Sequence, residues 1–133
     1  MDISYKPAGQ FELTRFEKIH NISFESSYKA SIVVAHEIAD LIKHKQQQNL
    51  NCVLGLATGS SPTKVYEELV RLHKEEGLSF TNVISFNLDE YYPMEKSNVQ
   101  SYDYFMREHL FDHIDILAKN INIPNGTVAN EDL

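Results

Sequence analysis

Two short stretches of this sequence carry residue types suited to chemistry. The first, Thr58-Gly59-Ser60-Ser61-Pro62, joins an apolar run to a segment with helical periodicity. Glycine lets the backbone turn sharply and approach a ligand closely, and a helix start offers unpaired N–H groups and partial positive charge. With three side-chain hydroxyls added, such a turn can hold phosphate or carboxylate. It is neither a Walker A loop nor a full G-x-G-x-x-G, so taken alone it also reads as a capped turn that binds nothing. The second stretch, Asn87-Leu88-Asp89-Glu90-Tyr91, closes another apolar run with two carboxylates. Asp89, leaving a strand beside an anion-binding turn, is placed as a general base. Its plain alternative is a solvated loop carboxylate. Adjacent residues of an extended strand point to opposite sides, so Asp89 and Glu90 face one substrate together only if the backbone turns.

The six histidines offer less. His109 and His113 stand four apart on an expected helix, a spacing able to bind metal. No Glu lies between them in the H-E-x-x-H manner and no third ligand is evident, so no metal site is assigned. His20, His36, His44 and His73 read as surface or helix-packing residues. Asn21-Ile22-Ser23 and Asn125-Gly126-Thr127 match the glycosylation pattern, which a cytosolic chain would not use.

The elements that must position these residues follow from periodicity. Tyr28, Ile32, Ala35, Ala39 and Ile42 recur at spacings of four and three, which predicts an amphipathic helix from about Ser26 to Gln48. Cys52–Ala57 is a continuous apolar run, expected as a strand covered on both faces. Pro62 suits the first position of the next helix, with Ser61 as its N-cap, Val65, Leu69 and Leu72 as its stripe and Gly77 as its stop. Val83–Leu88 is the next strand, so the segment is a βαβ unit with parallel strands. Parallel strands put the Thr58 turn and Asp89 on one edge, where ligands bind in open sheets. Ser101 caps a further helix with Tyr102, Phe105, Met106, His109 and Leu110 inward. Ile121–Pro124 reads as a third short strand, closed by Asn125-Gly126. The first 25 residues read as an arm with a short helix near Phe16–His20. So few strands make a small doubly wound sheet, and the domain is expected to be incomplete: an arm and long helix over 1–50, then the opening part of a larger α/β domain over 51–133.

The 133 residues, 42% apolar and 23% charged, fit one globular domain and exclude a disordered tail or fibrous repeat. No apolar run approaches the ~20 residues of a membrane span, and no basic-then-apolar leader opens the chain. Cys52 has no partner for an internal disulfide, so the cytosol is the expected compartment. A net charge of −7, with no basic cluster longer than Lys43-His44-Lys45, excludes a nucleic-acid surface. It also obliges any anionic ligand to bind through backbone N–H groups or through cations that this sequence does not supply.

In combination the motifs are more specific than either alone. Leu54–Pro62, Leu78–Tyr91, Ser101-Tyr102, Phe111–Asp115 and Asn120–Gly126, in this order and spacing, closely resemble glucosamine-6-phosphate deaminases. The resemblance implies a Rossmann-like α/β sandwich with helices on both faces of a parallel sheet. It implies a cytoplasmic, homo-oligomeric enzyme with no cofactor that takes a small sugar phosphate and neither nucleic acid nor membrane as partner. Its reaction would convert glucosamine 6-phosphate and water to fructose 6-phosphate and ammonia. Thr58, Gly59, Ser60 and Ser61 match the family's substrate-phosphate turn, and Asp89 matches the aspartate that moves a proton between C2 and C1 of the opened sugar. Glu90 and Tyr91 match the motif as support of the loop. The ring-opening Gly-Asn-Asp-Gly-His motif and the phosphate-binding cations would lie downstream, so the chain reads as the N-terminal half of a longer bacterial member, inactive alone. The nearest rival, 6-phosphogluconolactonase, shares the turn and the Asp-Glu pair, but there arginine typically follows where this chain has Tyr91. A sugar-phosphate-sensing regulator would carry a helix-turn-helix segment, and none is seen.

Overall fold

A computed structural model describes residues 6–7, 19 and 21–129. The helix expected near Phe16–His20 falls almost wholly outside them. Two short strands, β1 (Lys6–Pro7) and β2 (Ile22–Ser23), pair antiparallel, with Pro7 opposite Ile22. Helix α1 (Ser27–Gln47) follows, capped by the Ser26 side chain, which accepts from the Lys29 N–H. Ile32, Ala35, Ala39 and Ile42 are buried as the spacing requires. Tyr28 is not: it is 53% exposed, because the helix begins before the first turn reaches the core.

The βαβ unit forms as the sequence implies. Strand β3 (Cys52–Leu56) leads through a turn into α2 (Thr63–Glu76), and β4 (Val83–Asn87) returns parallel to β3. Gly77 stops α2 in the left-handed region at φ 73°, and the Leu78 N–H bonds back to the Leu72 carbonyl. Helix α3 (Tyr102–His109) is capped by Ser101, whose hydroxyl accepts from the Tyr104 N–H. Strand β5 (Ile121–Asn122) completes the parallel order β3-β4-β5.

One core joins these pieces. Ala35, Ala39 and Ile42 of α1 pack with Leu69 and Leu72 of α2, Cys52 and Val83 of the sheet, and Met106, Leu110 and Phe111. The Asp115 carboxylate braces its base, accepting from the Phe80 N–H at 2.6 Å and the Ser79 hydroxyl at 2.9 Å. That accounts for one acidic residue of the Phe111–Asp115 motif as architecture.

Two expectations are corrected here. The strands are not covered on both faces. Cys52, Leu56, Val83, Ser85 and Asn87 lie on a buried face, but Val53 and Phe86 on the other are 61% and 50% exposed. No described element lies over that second face. Ser61 does not cap α2 either: Pro62 holds the cap position in a helical conformation, with no side-chain cap bond. The proline leaves no N–H there to be capped, and Thr63 closes the turn instead, its hydroxyl donating to the Gly59 carbonyl at 3.0 Å.

Candidate active site

Register decides which residues meet. Leu56 and Asn87 are paired partners at the ends of β3 and β4. Thr58 and Asp89 therefore each stand two residues beyond a matched pair, leaving neighbouring points on the carboxyl edge of the sheet. The Asn87 side chain locks the two strand ends together, its Nδ2 donating to the Leu56 carbonyl at 3.2 Å.

The turn after β3 is pinned from below by Tyr66, a residue that the apolar spacing did not single out. Its hydroxyl accepts from the Ala57 N–H at 3.1 Å and donates to the Ala57 carbonyl. Burial pushes the Tyr66 phenol up to about 12, against the lowering effect of the Ala57 hydrogen bond. Gly59 follows at φ 97°, a conformation in which a side chain is strained although the surrounding space is open. The amides of Gly59, Ser60 and Ser61 find no partner among the described residues, and Gly59, Ser60 and Ser61 are exposed while Thr58 is half-buried. Unpaired amides at the start of a fourteen-residue helix can take an anion. The nearest lysine in sequence, Lys64, is tied to Glu67 at 3.0 Å rather than offered to the turn.

Beyond β4 the two carboxylates part company. Asp89 is exposed at the edge. Glu90 turns away to α3, where its carboxylate accepts from three backbone N–H groups: Tyr91, Tyr102 and Asp103. With the Glu90 carboxylate occupied by backbone amides and Asp89 exposed, the two acids do not face one ligand together. The far side of the loop is seated on buried Gly126, where an added Cβ would fall 2.5 Å from the Met94 carbonyl and 2.7 Å from that of Tyr91. The Tyr91 and Tyr102 rings lie 4.7 Å apart. The Tyr102 phenol is held above its ordinary range first by the Tyr91 hydroxyl, then by burial and the charge of Asp89, with the Thr58 hydroxyl acting in the opposite sense.

The histidines go elsewhere. His109 stacks on Phe105 at 4.3 Å, while His113 donates from Nε2 to the Glu108 carbonyl at 2.7 Å. His36 meets the buried Glu68, and His73 donates to the Leu78 carbonyl.

A parallel sheet that brings a glycine-serine helix start and a carboxylate to one carboxyl edge defines a Rossmann-like α/β protein with a ligand site at its strand ends. The profile of the family described as glucosamine-6-phosphate isomerases/6-phosphogluconolactonase matches residues 25–132. The chain belongs to that family. It is 47% identical over 130 residues to a glucosamine-6-phosphate deaminase-like protein of Bacteroides thetaiotaomicron, covering 96% of this chain and 20% of that protein. It is 49% identical to glucosamine-6-phosphate deaminase 2 of Giardia intestinalis, covering 77% of this chain and 37% of the relative. Among solved structures, a monomeric glucosamine-6-phosphate deaminase superposes with TM-score 0.76 at 38% identity, over 82% of this chain and 44% of that one. A 6-phosphogluconolactonase of Thermotoga maritima gives TM-score 0.65 at 19% identity, over 82% and 47%, a likeness of fold. The chain spans less than half the length of each of these relatives. Among the described residues no helix is long and apolar enough to cross a membrane.

Proposed function

We propose that this chain forms the phosphate-holding and proton-transfer part of a glucosamine-6-phosphate deaminase. The observation that carries the reading is the register of Leu56 against Asn87, which brings the Thr58 turn and Asp89 to one edge. The substrate phosphate is held by the amides of Gly59, Ser60 and Ser61 and the hydroxyls of Thr58, Ser60 and Ser61. Its sugar chain then extends toward Asp89. With the ring open, Asp89 takes the proton from C2 and returns it at C1, while a proton passes from the amine to O1. The C2 amine becomes an imine, and water converts it to the ketone of fructose 6-phosphate and ammonia. The resemblance assigns ring opening to a histidine motif downstream of this sequence.

The 38% identity to the solved deaminase, against 19% to the lactonase, supports deamination over lactone hydrolysis. Tyr91, standing where lactonases typically carry arginine, favours the same side. The reading places the enzyme in the cytoplasm, without a cofactor and as a homo-oligomer; sedimentation of the purified gene product checks the last, since the solved deaminase is described as monomeric. The deciding experiment gives the full-length gene product glucosamine 6-phosphate and 6-phosphogluconolactone in parallel. Ammonia release with no lactone hydrolysis is expected, and the reverse result overturns the reading.

A further inference from the structure

Glu90 is unusual for an acid beside a reactive edge, because its carboxylate is fully engaged by backbone. Oε1 accepts from the N–H groups of Tyr91 and Tyr102, both at 2.9 Å, and Oε2 from that of Asp103 at 3.0 Å. A carboxylate at a helix N-terminus meets orphan donors and the positive end of the helix dipole. Ser101 already caps α3 through the Tyr104 N–H, so Glu90 is a second cap, supplied from a segment twelve residues upstream of Tyr102. An ordinary helix needs one. The second fixes something else: two of the three amides it grips belong to the residues whose rings form the Tyr91–Tyr102 pair, 4.7 Å apart and tilted by 44°.

We infer that Glu90 is a positioning residue, which clamps the Tyr91–Tyr102 pair to the loop that carries Asp89 and so fixes both the base and the wall beside it. Three residues form the chain of contact. Asp89 precedes Glu90 directly, so holding the Glu90 carboxylate on α3 limits how far the Asp89 backbone can swing. Tyr91 is held through its own amide. Tyr102 brings α3 to the edge, where its phenol feels Tyr91, Asp89 and the Thr58 hydroxyl together. The Tyr102 phenol is therefore near both the turn that takes the phosphate and the carboxylate that takes the proton. A sugar phosphate spanning those two points would pass along that phenol. Glu90 itself touches no substrate in this arrangement. The inference rests on the deaminase reading and adds to it a residue that acts through Asp89 and Tyr102.

The test uses the full-length gene product and three variants, Glu90→Ala, Glu90→Gln and Glu90→Asp, with kcat and KM for glucosamine 6-phosphate and the thermal midpoint of each. A misplacement of about 1 Å can cost ~100-fold in rate. Glu90→Ala is expected to lower kcat by about tenfold or more while KM changes by about threefold or less. Glu90→Gln, which keeps one carbonyl oxygen for the two tyrosine amides, should recover part of kcat. It carries the conclusion if the alanine variant does not fold. Glu90→Asp, too short to reach α3, should resemble the alanine. A lower thermal midpoint with unchanged kcat per folded molecule would make Glu90 a helix cap alone and overturn the inference. If the parent releases no ammonia, the deaminase reading fails, and the clamp is judged separately by ultraviolet titration, with Tyr102→Phe assigning the Tyr102 phenol. A titration that moves toward the ordinary tyrosine value in Glu90→Ala and Glu90→Asp supports the clamp, and an unmoved one overturns it.

Discussion

The hydroxyl of Tyr66 closes on both backbone groups of Ala57, accepting from its N–H at 3.1 Å and donating to its carbonyl. Ala57 is the first residue past β3, at the point where the turn begins. Tyr66, nine residues on and one turn into α2, supplies both partners at once. The helix thereby anchors the turn that precedes it, and Thr58 and Gly59 start from a fixed point.

Tyr66→Phe keeps the ring and removes both bonds. Ala57 is exposed and both bonds are part-buried, so losing them costs about 0.5–1.5 kcal/mol each; the thermal midpoint should fall and phosphate-ligand affinity should fall with it. The pH dependence carries a second check. The Tyr66 phenol is raised to about 12 from an ordinary value of 10, so the folded state keeps its proton where the unfolded state loses it. Its contribution to stability is fully present below pH 10 and is lost as pH rises toward 12. Denaturant unfolding across that range should fall more steeply in the parent than in Tyr66→Phe. Parallel slopes would show that Tyr66 is not the titrating group.

Gly126→Ala tests the other support of the site. Its Cβ would fall 2.5 Å from one backbone carbonyl and 2.7 Å from another, and neither can rotate aside as a side chain could. Overpacking of this kind costs about 1–3 kcal/mol. The loop from Tyr91 to Met94 must shift, and Asp89 with it. A lower thermal midpoint together with reduced kcat is expected. Unchanged values for both would show that the loop has room.

Much of this arrangement was legible in the residues. The βαβ unit, the stop at Gly77, the Ser101 cap and the placing of Thr58 and Asp89 on one edge of the sheet all follow from local spacing and from the geometry of parallel strands. Tyr66 and Glu90 were not legible in the same way. Tyr66 sits one position from Val65 in a stripe read for apolar residues, and its function depends on a hydroxyl that periodicity does not register. The Glu90 partners lie twelve and thirteen residues away along a polar loop whose path no local pattern fixes. The exposed second face of the sheet follows a related logic: a continuous apolar run shows what a strand can bury, and the covering element has to come from elsewhere.

That open face has a measurable consequence. Val53 and Phe86, with Leu88 87% exposed just beyond β4, present apolar side chains to water along one side of the sheet. Apolar surface of this kind drives association. The 133-residue chain on its own should bind a hydrophobic dye and scatter light increasingly with concentration, and Val53→Thr with Phe86→Thr should reduce both. A clean monomer at high concentration with no dye binding would count against an uncovered face.

Asp89→Asn addresses the chemistry most directly. The substitution keeps the shape of the side chain at the strand end and removes the carboxylate proposed to take the C2 proton. Positioned proton transfer contributes about 10²–10⁴-fold, so kcat for ammonia release by the full-length gene product should fall by that order. Affinity for a product-like sugar phosphate should stay within a few-fold, because the proposal gives the phosphate to the turn and not to Asp89. A second measurement separates lost chemistry from a disturbed loop. The Asp89 charge is one of the influences that hold the Tyr102 phenol up, so the Asn variant should let that phenol titrate lower. Lost turnover, retained affinity and a lowered Tyr102 titration together would identify Asp89 as the base in an intact site. Turnover near the parental rate would leave Asp89 as a solvated carboxylate at the strand end.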